Sequence, residues 1–336
     1  LIPNIFYKEV LFMPALDMPI ERLREYKGTN PRPQDFDAYW DRALSELDAC
    51  SLDYTLEPAD FQAPGVKCSY LYFTGVGGAR ICCRFLRPEH PTANHPGVCM
   101  FHGYSGSAGD WYDKLAYAYA GFFVLALDAR GQMGFSDDNR VVSGNTFKGQ
   151  IIRGLSTFDP DQLYFRNVFL DCAQTARILM SMPEVNAGRV GAMGGSQGGG
   201  LTVACASLEP RVALCVPACP FLTDYKRVWE MDLAKGAYDE LSYFLRHRDP
   251  RHERIDEIWN MLGYIDVSKL AVRIKAQTIL FATMMDSTCP PSTQFAIYNA
   301  ITAPKEIKIY RDFGHEGLPQ QGDITLRAML NMKAHD

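Results

Sequence analysis

Apolar residues are distributed along this chain in two alternating textures. Short runs, nearly all apolar or strictly alternating, stand at 97–101, 121–128, 189–193, 211–216, 277–283 and 306–310. Between them, at 111–120, 163–182, 201–208, 290–300 and 321–333, apolar positions recur every three to four residues. The first texture predicts strands covered on both faces, the second helices that turn one stripe toward a core. Their alternation predicts βαβ units, and so an α/β fold with a mostly parallel central sheet flanked by helices.

Four stretches depart from that rhythm. Residues 1–35, punctuated by Pro3, Pro14, Pro19, Pro31 and Pro33, read as an extended N-terminal arm with a helical turn near 19–27. The arm leads into an amphipathic helix at 35–47, with Phe36, Trp40, Ala43, Leu44 and Leu47 on one face. Strand-like runs at 66–73 and 80–86, separated by Gly75, Gly77 and Gly78, read as a hairpin. Residues 136–160, polar and Gly-rich, read as a long surface excursion. Residues 220–265, aromatic, charged and helical, read as a cap inserted over the carboxyl edge of the sheet, within a single domain of 1–336. The long helix at 163–182 takes Val168, Cys172, Thr175 or Ala176, and Leu179 as its inner stripe, and Pro183 stops it.

Composition narrows the function. A chain of 336 residues with 47% hydrophobic content has ample material for a large core. A net charge of −5 without a basic run speaks against nucleic acid as a partner. No apolar run is long enough for a membrane span. The opening Leu1, Ile2, Pro3 and Asn4 lack the basic and apolar regions of a secretory signal. The ten cysteines lie mostly in apolar runs without metal-ligand spacing, so they are expected to be buried, reduced thiols in a cytoplasmic protein with no metal site.

The chemistry centres on Gly194-Gly195-Ser196-Gln197-Gly198, which follows a strand and precedes a helix. That context turns Gly-x-Ser-x-Gly into a nucleophile elbow, with Ser196 projecting at the carboxyl edge of the sheet. A phosphate-binding turn is the competing reading. A serine hydroxyl needs a general base and an orienting acid. His315, in a Gly-flanked loop after the last strand, is the candidate base, and His102, at another strand exit, is its rival. Asp286 is the candidate acid; Asp224 competes, and Asp128 reads instead as an ion-pair partner of Arg130. The order Ser196, Asp286, His315 is that of α/β-hydrolases. The amides of Gln197 and Tyr104 are the candidate oxyanion donors, with the Tyr104 ring as an aromatic wall.

Three segments, Arg130-Gly131-Gln132, Gly194-Gly195-Ser196-Gln197-Gly198 and His315-Glu316, resemble the signatures of carbohydrate esterase family seven, the acetyl xylan esterases and cephalosporin C deacetylases. Met18-Pro19, Tyr26-Lys27-Gly28, His102-Gly103-Tyr104, Tyr164-Phe165-Arg166-Asn167 and Pro220-Phe221-Leu222 extend the resemblance over nearly the whole chain. It implies an α/β-hydrolase fold, a triad of Ser196, His315 and Asp286, removal of acetyl groups from sugars and cephalosporin C without a cofactor, and an intracellular homo-hexamer. It also implies that Arg130 and Gln132 are structural, bracing loops near the triad. Met133 departs from the family pattern, and Gly198, Gly199 and Gly200 are expected to loosen the start of the helix.

Overall fold

The computed structural model describes residues 16–144 and 146–334, so the first fifteen residues of the expected arm lie outside it. Strands β1 Tyr54–Pro58, β2 Val66–Thr74, β3 Arg80–Pro88, β4 His95–Phe101, β5 Phe123–Leu127, β6 Val185–Gly195, β7 Leu214–Ala218, β8 Gln277–Thr283 and β9 Lys305–Tyr310 form one mixed sheet in the order β1-β2-β3-β5-β4-β6-β7-β8-β9. The first three strands and β5 pair antiparallel, and every pairing from β5 through β4 to β9 is parallel. Helices α1 Ile20–Leu23, α2 Phe36–Asp48, α3 Tyr112–Tyr119, α4 Tyr164–Ser181, α5 Gln197–Leu208, α6 Tyr225–Glu230, α7 Asp239–Arg248, α8 Ile255–Gly263, α9 Val267–Leu270, α10 Pro291–Ala300 and α11 Gln321–Leu330 complete the fold. This is the α/β-hydrolase architecture. None of the described helices is long and apolar enough to cross a membrane.

Side chains alternate across each strand, so β4 sends Cys99 and Phe101 into one apolar cluster and Val98 into the other. The larger cluster is built with α2, α4 and α5, the smaller with Tyr117 of α3 and Met329 of α11. Helix α2 seals the larger cluster from outside: Phe36, Tyr39, Trp40, Ala43 and Leu47 are buried, and the Trp40 indole donates to the Tyr264 carbonyl at 3.0 Å. All ten cysteines are free thiols, nine of them buried, and burial pushes Cys215 up to about 12.

Register sets which loops lie together at the carboxyl edge of the sheet. Phe101 of β4 lies opposite Gly194 of β6, and Thr283 of β8 opposite Tyr310 of β9. The loops after β4 and β6 therefore leave the sheet side by side, and so do those after β8 and β9.

Several elements differ from the sequence expectation. Strand β1 is absent from the sequence expectation; its Tyr54 and Leu56 alternate with Thr55 and Glu57, but every residue of it is exposed, so the alternation marks no buried face. The stretch 136–160 is not wholly a surface excursion: Ile151, Ile152 and Leu155 are buried. Helix α4 has no polar outer face; Arg166, Asn167, Asp171, Gln174 and Thr175 are buried alongside its apolar stripe. Helix α5 begins at Gln197, directly after the elbow, and is buried along its whole length. Its glycines do not loosen it: a Cβ on Gly200 would stand 2.4 Å from the Phe221 carbonyl oxygen, so the missing side chain lets helix and loop touch.

The ion pair expected between Asp128 and Arg130 is replaced by two others. Arg130 reaches Asp171 of α4 through two bonds of 2.6 Å and also meets the Val76 carbonyl in the β2–β3 turn. Asp128 accepts the amides of Ala108 and Phe135 and lies 3.7 Å from Arg84. Burial opposes the charge on the Arg130 guanidinium, but the adjoining Asp171 carboxylate outweighs it and holds the group above its usual range. Removing one member of a buried pair strands the other's charge. Arg130→Ala is therefore expected to cost about 3–5 kcal/mol in denaturant unfolding, and Arg130→Met with Asp171→Leu to recover most of it.

Candidate active site

Ser196 stands between β6 and α5 in a conformation that side chains rarely adopt, with φ 57° and ψ −123°. Such backbone strain costs on the order of 1–3 kcal/mol and persists only where its surroundings impose it. Here its amide donates to the Ala218 carbonyl at 2.9 Å, and its carbonyl accepts from Phe221 at 2.9 Å and Gly200 at 3.1 Å. A Cβ on Gly198 would lie 2.1 Å from the Phe101 carbonyl oxygen, which makes this position obligatory glycine.

The structure brings Ser196, His315 and Asp286 together across four strand ends. His315 Nε2 lies 2.8 Å from Ser196 Oγ, and His315 Nδ1 lies 2.8 Å from Asp286 Oδ2. Asp286 is fully buried, whereas the His315 side chain keeps 28% of its surface exposed, so the serine end opens to solvent and the acid end does not. Asp286 Oδ1 accepts the amides of Thr288 and Cys289, both at 2.8 Å, which orient the carboxyl group toward the ring. Behind it, Gln294 of α10 donates to the Cys289 carbonyl at 2.6 Å and accepts the Thr283 amide at 3.1 Å. Ligand atoms of Cys289, Asp286 and His315 lie within 4.8 Å of one another, but the carboxylate and imidazole are already turned on each other. An imidazole so placed can take the hydroxyl proton, and the carboxylate can stabilise the cation that results.

The rival residues serve other ends. His102 donates from Nδ1 to the Gly103 carbonyl at 2.7 Å and accepts the Ala129 amide on Nε2 at 2.9 Å, so both nitrogens are occupied in its neutral form. Burial lowers its proton affinity further. Asp224 accepts from the Tyr26 hydroxyl and from the amides of Thr29 and Asn30, tying the arm to the loop before α6.

Among the described residues the amides of Tyr104 and Gln197 have no protein acceptor, as the first turn of a helix and an open loop allow. Gln132 and Gln197 exchange side-chain amide bonds of 3.0 and 3.1 Å, and Gln132 also reaches the Tyr164 hydroxyl at 3.2 Å. The Tyr164 hydroxyl in turn donates to the Arg130 carbonyl. Arg130 and Gln132 thus pin the loop after β5 to α4 and α5. The half-buried Tyr104 ring packs on Phe221 at 5.4 Å between centroids. Its hydroxyl donates to Glu240, whose carboxyl burial holds above the usual range. Glu240 and Gln294 escape the sequence reading. A lone glutamine in the apolar stretch 291–300 was a usable signal for one; Glu240 had none.

A family model described as acetyl xylan esterase matches residues 13–330. The chain is similar to a solved acetyl xylan esterase 1 from Thermoanaerobacterium sp., with 53% identity, a TM-score of 0.92, and coverage of 94% of this chain and 99% of that one. It is also similar to an acetyl xylan esterase from Paenibacillus sp., with 35% identity and a TM-score of 0.89, over 94% of this chain and 100% of that one. An acetyl esterase of Xylanibacter ruminicola is 27% identical over 285 residues, 83% of this chain; the chain spans 63% of that relative's length.

A fluorophosphonate probe is expected to label the protein at Ser196, and Ser196→Ala to abolish the adduct. Gly198→Ala adds one methyl against the Phe101 carbonyl, and labelling is expected to slow at least roughly tenfold; an unchanged rate in intact-mass kinetics sinks the close-approach argument.

Proposed function

Because this chain belongs to the acetyl xylan esterase family, we propose that it is a serine esterase that removes acetyl groups from acetylated xylo-oligosaccharides and other small acetyl esters, cephalosporin C included. The observation that carries the reading is the continuous line Asp286–His315–Ser196, with 2.8 Å at each step.

In the proposed reaction Ser196 Oγ attacks the acetyl carbonyl while His315 Nε2 takes its proton. The oxyanion rests on the amides of Tyr104 and Gln197, each donor contributing on the order of 3–4 kcal/mol to the lowered barrier. The tetrahedral intermediate collapses, His315 returns the proton to the leaving alcohol, and an acetyl-serine remains. Water, deprotonated by His315, attacks that ester and releases acetate and Ser196. Asp286 keeps the Nδ1 proton in place throughout and stabilises the imidazolium.

Two further parts of the reading rest on the family and on the reduced thiols: the active form is a homo-hexamer, and it works in the cytoplasm. Light scattering on the purified protein is expected to give six times the chain mass of 37.7 kDa.

Initial rates with p-nitrophenyl acetate, butyrate and octanoate test the acyl specificity. A steep fall after acetate is expected, with no turnover in Ser196→Ala and a loss on the order of 10⁴-fold in Asp286→Asn. Release of acetate from acetylated xylo-oligosaccharides and from cephalosporin C, followed in parallel, tests the leaving group. A flat chain-length profile points to a broader carboxylesterase, and faster cleavage of an amide than of its ester to a peptidase.

A further inference from the structure

Glu240 is a buried carboxylate with only 1% of its surface exposed, in the first turn of α7, and its hydrogen bonds run to neutral donors. One oxygen accepts the Tyr104 hydroxyl, and the other accepts the Ile152 amide at 2.9 Å. The Gln150 amide closes the cluster by donating to the same Tyr104 hydroxyl at 3.2 Å. Gly149, at φ +81°, leaves the room: a Cβ there would stand 2.3 Å from the Glu240 carboxylate. Desolvating a carboxyl group is costly, and here it is placed against the outer end of one aromatic side chain.

The inner end of that side chain belongs to the loop after β4. Tyr104 is followed by Ser105, at φ 55°, and is bracketed by Gly103 and Gly106. Such a backbone has little stiffness of its own. Its carbonyls are held at Gly103 by His102 at 2.7 Å, while the Tyr104 amide has no protein partner among the described residues. The Gly106 carbonyl also accepts the Met133 amide at 3.2 Å, and Gln150 Nε2 reaches the Ser105 hydroxyl at 3.4 Å, but Tyr104 itself is hydrogen-bonded only through its phenol among the described residues. Its ring is wedged against Phe221, whose amide holds the Ser196 carbonyl at 2.9 Å and whose own ring packs on Tyr238, 4.1 Å away.

We propose that Glu240 is a positioning residue for the oxyanion donor: by anchoring the Tyr104 hydroxyl it fixes the direction of the Tyr104 amide toward the carbonyl attacked by Ser196. This inference rests on the esterase reading above. Glu240 touches no reacting atom and acts only through Tyr104. A donor misplaced by about 1 Å costs on the order of 100-fold in rate. The loss falls on the transition state, because the amide is needed most where the oxyanion forms.

The test is a double-mutant cycle with Tyr104→Phe, which removes one oxygen, and Glu240→Gln, which keeps the shape but offers a single acceptor to two donors. kcat and KM are measured with p-nitrophenyl acetate. Inhibition is measured with methylboronic acid, which bonds to Ser196 Oγ as a tetrahedral anion while the hydroxyl proton passes to His315. Each single variant is expected to lose about 10- to 100-fold in kcat with KM within about threefold, and to bind the boronic acid more weakly by a similar factor. The double variant is expected to be no worse than the poorer single one.

Wild-type kcat and boronic acid affinity in Tyr104→Phe overturn the inference, as does a loss confined to KM, or losses that multiply in the double variant. If Glu240→Gln does not fold, Tyr104→Phe decides alone. A wild-type chain inert toward every acetyl ester overturns the esterase reading and this one with it. Turnover that Tyr104→Phe leaves untouched overturns this one only.

Discussion

The active edge depends on a close approach of backbones at the end of β6. Ser196 holds its strained conformation because three neighbouring groups fill its hydrogen bonds and because the following helix passes against the carbonyls of Phe101 and Phe221 with no side chain between. Two glycines, at 198 and 200, make that contact possible. The same contact turns the first turn of α5, and its free amides, toward the serine. The place of the Ser196 hydroxyl, the free amide of Gln197 and the helix dipole are thus products of one local constraint, and none of them can shift independently of β4 and β7.

Around this point the protein uses buried polar groups where apolar packing alone would hold the elements together. Arg130 and Asp171 join the loop after β5 to α4, and the paired amides of Gln132 and Gln197 join that loop to α5. Gln294 does the same for the loop that carries Asp286. A buried ion pair contributes little net stability because desolvation offsets its attraction, but it tolerates few alternative partners. Directional bonds of this kind fix the distance and angle at which a loop sits, a constraint that non-directional apolar burial does not impose.

Much of the fold was legible in the sequence because buried strands and helices carry their own periodicities. The hairpin at 66–88, the strand at 277–283 and the serine elbow all stood out, the last because glycine at fixed spacing has a steric cause. The Ser196, Asp286 and His315 candidates emerged from their places at strand exits, and the structure brings those three side chains into contact. What was illegible has a physical origin. Strand β1 is defined by backbone pairing with β2 and not by burial. Ile151, Ile152 and Leu155 are buried in a stretch whose Ile152 amide is taken up by Glu240, eighty-eight positions on. The partner of Arg130 lies forty-one residues on, not two residues back. The last two are long-range contacts between residues whose neighbours in sequence give no sign of them.

The arm's attachment also orders events in time. Tyr26, Thr29 and Asn30 bind Asp224, 194 to 198 positions farther along the chain, and Asp17 binds Arg227 and Ser292 farther along still. During synthesis the N-terminal segment emerges first, yet its docking ground is made only after most of the sheet has left the ribosome. Until then the face of α2 that holds Trp40 lacks its Tyr264 partner and stays open to water. The arm therefore acts as a late clasp: its partners lie about two hundred positions farther along the chain, so its closure waits until the C-terminal half has been built.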